Sequence, residues 1–277
     1  IFIHIQKCAG ITIQRMLRRR YGPSFVERMW KLATGQSGAK PLEKYTHEDR
    51  FMQGHHCFGI HRVLPVPSTY FTMLREPVSR LISLYHFSRE NPTAYYHEYA
   101  KQMSIDEFLI ECELHELDNG QVRFIAGDEE DRFINRTPFG ECDESLLEQA
   151  LKNIDRHFFH VGVVEAFDIS ALMLKEKLGW RTALYLRRNT RNRSRSRPEP
   201  SEHALEVASD RNAFDQKLYS VVKERALKEF EEAFHDSEHK LERFQRRNAQ
   251  FNAVFGPLYD RYAALKVWAA GNASAPT

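Results

Sequence analysis

Lys7 stands in a short loop, Gln6 to Gly10, between a β-branched run and a segment of helical spacing. That arrangement suits an anion: loop N–H groups and the positive end of a helix dipole converge on one point, and a lysine adds a full charge. An ordinary turn between strand and helix has the same look, because the G-x-x-x-x-G-K-[ST] pattern is absent. A second anion receptor follows the apolar run Ser68 to Leu74, where Arg75 is succeeded eight residues later by Ser83. Eight residues are about two helical turns, so a guanidinium fork and a hydroxyl could grip one phosphate monoester. The plainer reading is an arginine at a sheet edge and a small residue on a packed helix. Between the two receptors lie His55, His56 and His61. Imidazole takes a proton from a hydroxyl near neutral pH, and strand alternation would send His55 and His56 to opposite faces. The chain has 13 histidines, so each is also a candidate for a plain hydrogen-bonded role.

These groups need a frame, and the hydrophobic pattern supplies one. Ile1, Ile3 and Ile5 alternate with Phe2 and His4 as a buried strand, and Ile13, Met16 and Leu17 then fall at helical spacing. FMQGH from Phe51 and the run Ser68–Leu74 read as further strands; Pro77 suits the first turn of the helix carrying Val78, Leu81, Ile82 and Tyr85. Ser104 with Glu107 forms a capping box, and Asp143 caps an amphipathic helix through Ile154. His157 to Val164 reads as a central strand, Asp168 as the cap of a helix that stops at Gly179, and Trp180 to Leu186 as another strand. Strands alternating with helices predict one α/β domain with a parallel sheet flanked by helices. Tyr21 to Arg50 reads as a polar surface excursion, and Tyr95, Tyr96 and Tyr99 either stack on a ligand or pack a loop onto the core. Ser201 to Phe251 is helical and is ended by Gly256-Pro257.

Composition narrows the classes. With 277 residues and 42% hydrophobic content the chain buries a substantial core, and a net charge of +2 leaves any polyanion affinity to local clustering. One such cluster is evident: six arginines in Arg187–Arg197, without an apolar residue, form an exposed basic loop. The four cysteines show no metal spacing, and Cys8 reads as a free thiol. A phosphate-loop kinase would need Gly-Lys-Ser/Thr and an acidic Mg²⁺ ligand, and neither is evident. A non-catalytic polyanion-binding module, resting on the arginine cluster alone, is the other alternative. No apolar run approaches the roughly 20 residues that span a bilayer. The chain opens without Met on a core strand, so a missing N-terminal anchor would be the route to a membrane. Asn135, Asn192 and Asn272 head glycosylation sequons, and among ten asparagines one is expected by chance.

KCAGIT after a strand resembles the 5′-phosphosulfate loop of sulfotransferases that use 3′-phosphoadenosine 5′-phosphosulfate (PAPS), and FTMLREPVSRLISLY resembles their 3′-phosphate motif. With DNGQVRFIAG and LYSVVKERALKEF in the same order, the chain is most similar to the heparan sulfate 6-O-sulfotransferases, with the uronyl 2-O-sulfotransferases next. The resemblance implies a P-loop nucleotide-kinase-like fold over residues 1–255, with 256–277 a partly disordered tail. It implies PAPS as donor, a glycosaminoglycan-like carbohydrate as acceptor, no nucleic acid and no metal. It assigns the base to His55 after Gly54, with His56 and His61 near the substrate; charge neutralisation to Lys7; and the 5′-phosphate to the loop Lys7, Cys8, Ala9, Gly10, Ile11 and Thr12. It further assigns the 3′-phosphate to Arg75 and Ser83, a closing loop to Arg191 and Arg193, and acceptor contacts to Asn119, Gln121 and Arg123. Cys8 and Ile11 depart from the pattern, where Thr or Ser is usual. A eukaryotic source would imply a Golgi-lumen enzyme on a type II anchor, a bacterial one a cytoplasmic or membrane-associated enzyme.

Overall fold

The strands expected from alternation assemble, in the computed structural model, into one parallel sheet. The structure describes residues 1–22, 25–26, 46, 51–130, 135–187 and 197–272, with the backbone alone for 25–26, 260 and 262–272. The strands are β1 (Phe2–Ile3), β2 (Phe25–Val26), β3 (Phe51–Gly54), β4 (Tyr70–Leu74) and β5 (Phe158–Val163), in the order β2-β3-β1-β4-β5 with every pairing parallel. All residues of β1, β3 and β4 are buried, as both faces of a parallel sheet require. From β1 the chain passes through α1 (Gly10–Tyr21) to one side of the sheet. From β4 it passes through α2 (Pro77–Glu90), α3 (His97–Gln102), α4 (Ile105–Glu111), α5 (Gly120–Ala126) and α6 (Glu144–His157) to β5 on the other. The connections therefore part between β1 and β4, and a crevice opens at the C-terminal ends of those two strands.

Several local expectations are corrected. The segment 158–163 is an edge strand of the described sheet, not a central one. Trp180–Leu186 does not pair as a strand; Asn248 Oδ1 accepts from Tyr185 N at 3.0 Å, Asn252 Nδ2 donates to Tyr185 O at 2.9 Å, and Asn252 Oδ1 accepts from Arg187 N at 2.7 Å. Side-chain amides thus supply the partners a neighbouring strand would have given. Asp168 lies one residue inside α7 (Phe167–Lys177), whose N-cap is Ala166, and its carboxylate instead accepts from Tyr185 Oη at 2.6 Å and pairs with Arg187. The capping box of Ser104 and Glu107 and the Asp143 cap are both present.

The C-terminal helices are α8 (Glu202–Arg211), α9 (Ala213–Ala233) and α10 (Ser237–Asn272). Gly256-Pro257 does not end the last of these; Pro257 lies inside it. Proline forfeits the bond to the carbonyl four residues back, and Ala253 is exposed, so water can satisfy that group. The excursion expected over 21–50 lies mostly outside the described residues, but Phe25–Val26 pairs with β3 as an edge strand. Of the tyrosines, Tyr95 is 87% exposed while Tyr96 packs on a second apolar cluster built by Leu81, Leu84, Tyr85, Phe108 and Ala204. Asn135, although in a sequon, is buried with its Nδ2 donating to Gly127 O. No described helix is long and apolar enough to cross a membrane.

Candidate functional site

The loop after β1 turns through two left-handed residues, Lys7 at φ 66° and Ala9 at φ 57°. Non-glycine residues adopt that conformation at a cost of about 1 kcal/mol or more each, so the loop is held by its surroundings. Cys8 does the holding. Its side chain is 1% exposed and its thiol faces Gln6 O and Gln121 Oε1, each at 3.6 Å. Burial pushes that thiol up to about 12, so it stays a donor. The Cys8 side chain is therefore turned away from the loop's outer surface, which leaves only its backbone for a ligand there. At the start of α1, Thr12 N and Ile13 N bond to Ala9 O at 2.9 and 3.2 Å. The N–H groups of Ala9, Gly10 and Ile11 have no acceptor among the described residues, the N-cap Ala9 brings no side-chain bond, and the first turn carries no acid. Positive charge at this helix end is thus left for an incoming anion.

Lys7 Nζ lies 4.0 Å from the centroid of the Phe87 ring on α2. Desolvation first, and the nearby Arg75 second, lower its pKa from 10.5 to about 8. Across the crevice, Arg75 follows β4 and its Nη1 donates to Lys7 O at 3.3 Å. Its Nε is buried and without a partner among the described residues, which fits a guanidinium awaiting an acceptor. Ser83 is half-buried on α2, one turn before Phe87 on the same face, and so shares the surface that meets Lys7. Lys7, Arg75 and the Ser83 face of α2 thus share one crevice.

The histidines separate sharply. His55, at the end of β3, is exposed, and its Nδ1 lies 2.6 Å from His4 O. A carbonyl can only accept, so Nδ1 carries the proton and Nε2 keeps a free lone pair. Desolvation lowers the His55 pKa below 6.5 although the ring meets solvent, as expected of a side chain on a concave wall. His56 is fully buried beside the Cys57 carbonyl and is pushed down to about 4 by desolvation, so it does not reach a substrate. His61 bonds Tyr70 Oη at 2.7 Å, and Tyr70 begins the strand that Arg75 follows. Five residues of strand are about 16 Å, so His61 belongs to the opposite end of the sheet.

Sequence reasoning missed His4. Its ring lies against that of His55, tilted by 30° with 4.4 Å between centroids, and rests against Gly10 so closely that a Cβ there would run into Nε2. His55, His4 and the loop after β1 are thus in direct contact. A polar residue at the C-terminal end of a buried central strand was the available signal. The acceptor contacts expected of Asn119, Gln121 and Arg123 are not formed by exposed groups. All three are buried: Asn119 Oδ1 accepts from Phe214 N and Asp215 N at the start of α9, and Arg123 pairs with Asp118 and bonds Pro138 O. Gln121 reaches Cys8 and Arg75. Arg191 and Arg193 lie outside the described residues; beyond them, Arg197 grips Glu90, at the end of α2, through Nε and Nη2, each at 2.9 Å. An open groove of about 420 Å³ begins at Thr12 and runs between α1 and α10, walled by Tyr185, Phe251 and Tyr259.

A parallel sheet flanked by helices makes the chain an α/β protein, consistent with the sulfotransferase fold. The model of the galactose-3-O-sulfotransferase family matches residues 41–253, more than half of the chain, and the chain belongs to that family. This is a different branch from the heparan sulfate and uronyl enzymes that the sequence motifs brought forward. Among curated proteins, human galactose-3-O-sulfotransferase 2 is 27% identical over 167 residues, covering 58% of this chain and 40% of the relative.

Proposed function

We propose that this protein transfers a sulfuryl group from PAPS to a hydroxyl of a carbohydrate, with O3 of galactose the leading acceptor in view of its family and relative. The observation that carries the reading is the meeting of two anion receptors, Lys7 with its loop and Arg75 with the Ser83 face, across one crevice beside a histidine of fixed tautomer. The residues suit such a donor: among the described residues, Ala9, Gly10 and Ile11 present N–H groups without an acceptor, and Arg75 presents a buried Nε without a partner. When bound, the donor supplies the sulfuryl group and a nucleotide leaving group.

In this reading His55 Nε2 accepts the proton of the attacking hydroxyl while Nδ1 stays bonded to His4 O, so the ring keeps its aim as it becomes charged. Lys7 and the α1 terminus hold the negative charge that grows on the 5′-phosphate side. Charge fixed there in advance is worth most as bonding changes. Arg75 and Ser83 hold the 3′-phosphate and so set donor identity; the groove at Thr12 offers the donor's adenine an apolar face. Arg191 and Arg193 remain proposed donor contacts. The test is incubation with radiolabelled PAPS and a panel of β-galactosides, heparan precursors and chondroitin. Label transfer to galactosides is expected. Label in heparan alone would return the acceptor to the uronyl and 6-O branch, and no transfer to any sugar would refute the reading.

A further inference from the structure

We infer that Gln121 is a positioning residue that fixes the spacing between the two phosphate receptors; the inference rests on the donor reading above. Its side chain is wholly buried and touches both receptors at once. Oε1 accepts from Arg75 N at 2.9 Å, Nε2 donates to Arg75 O at 2.9 Å, and Oε1 also faces the Cys8 thiol at 3.6 Å. The amide orientation is unambiguous, since one end meets an N–H and the other a carbonyl. One carboxamide thereby pairs with the backbone of Arg75 as a strand would, and simultaneously ties down the centre of the left-handed loop Lys7–Ala9.

The amide is itself rigidly mounted. Gln121 N and Val122 N donate to the Asp215 carboxylate at 3.0 and 2.7 Å, which caps α5 from α9. Asn119 Oδ1 returns the service by accepting from Phe214 N and Asp215 N at 2.9 and 3.0 Å. Each helix caps the other. Behind them, Arg80 is fully buried on α2 and pairs with Glu116 at 2.6 Å, and its Nη2 lies 2.6 Å from where a Cβ on Gly120 would stand. Glycine at 120 is what lets the arginine close the mount. A core glutamine serving stability alone would need no bond to a strained loop and a second loop together. This one joins the two elements that must lie at a set separation for a ligand bearing two phosphates.

Binding of three probes to Gln121→Met, which keeps length and bulk but loses the amide, tests this. Adenosine 3′,5′-bisphosphate engages both receptors, whereas adenosine 5′-monophosphate and 3′-monophosphate each engage one. A linked pair of contacts gains from correct spacing and single contacts do not. The bisphosphate affinity is expected to fall by about tenfold or more while each monophosphate changes by less than about threefold, and KM for the donor should rise more than kcat falls. A parallel loss for all three probes would reduce Gln121 to a stability role, and no loss for any would remove the inference. If wild type does not prefer the bisphosphate at all, the two-phosphate reading itself fails. Gln121→Asn, too short to reach both loops, gives the same test should the methionine variant not fold.

Discussion

The alkaline side of the pH–rate profile offers a direct test of Lys7. Burial and the neighbouring Arg75 bring its pKa from 10.5 to about 8, and the proposed chemistry needs the protonated form. At pH 7 about nine-tenths of the free enzyme carries that charge and at pH 9 a little under one-tenth, so kcat/KM should fall about tenfold over that interval. The limb should be read in kcat/KM, which reports free enzyme; a bound polyanion would hold the proton on Lys7 and move the limb of kcat to higher pH. The acidic side mixes two events, because a phosphate monoester titrates near pH 6 while His55 also loses its lone pair as pH falls. Lys7→Arg keeps the charge with a guanidinium that stays protonated above pH 12. Its kcat/KM, even if lower throughout, should stay level from pH 7 to 9. Initial rates with labelled donor across that range suffice. A descending limb that persists unchanged in Lys7→Arg, or a flat wild-type profile to pH 9, would refute the assignment.

Other outcomes follow from the same geometry. His55→Ala should lower kcat by roughly 10²–10⁴ with bisphosphate affinity retained, whereas His61→Ala, at the far end of the sheet, should leave kcat near wild type; kinetics of the two variants decide between them. Gly10→Ala must displace the His4 ring, which a Cβ would run into, so kcat should drop as the His4–His55 contact shifts; full activity would show that the contact does not aim the base. His56 and His160 are buried and depressed by desolvation to about 4 and about 3. Since the native state disfavours their charged forms, stability is intact above the unfolded value of about 6.5 and lost as pH falls below it. Each should cost about 2 kcal/mol between pH 7 and 5, seen by urea unfolding at the two pH values; His160→Leu should remove about half of that pH dependence.

The sheet was legible because buried β-branched runs have few other solutions, and the placing of Lys7, Arg75 and His55 at the C-terminal ends of strands was legible because each sits where such a run stops. What the sequence hid were partnerships. Nothing in the letters says that Asn248 and Asn252 stand in for a strand beside Tyr185, so Trp180–Leu186 looked like β. Asn119, Gln121 and Arg123 carried the right chemistry for a sugar, but polar residues within one short helix read alike whether they face a cleft or a buried carboxylate ninety residues on. His56 and His61 shared the types of the site and not its place. Burial of polar groups depends on distant contacts, and those are what single-sequence periodicity does not report.

The mutual capping of α5 and α9 bears on the moment at which this protein becomes competent. Every proposed catalytic group of the described residues is synthesised early, His55, Lys7, Arg75 and Ser83 all preceding Gln121 in the chain. The carboxylate that seats Gln121 belongs to Asp215, 94 residues later, and Cys8 meets Gln121 across 113 residues. Contacts this remote are slow to form, since the loop they close must first be ordered. A nascent chain growing from its N-terminus would therefore carry its chemistry for much of translation without the means to arrange it. Competence would arrive late and in one step, when α9 docks.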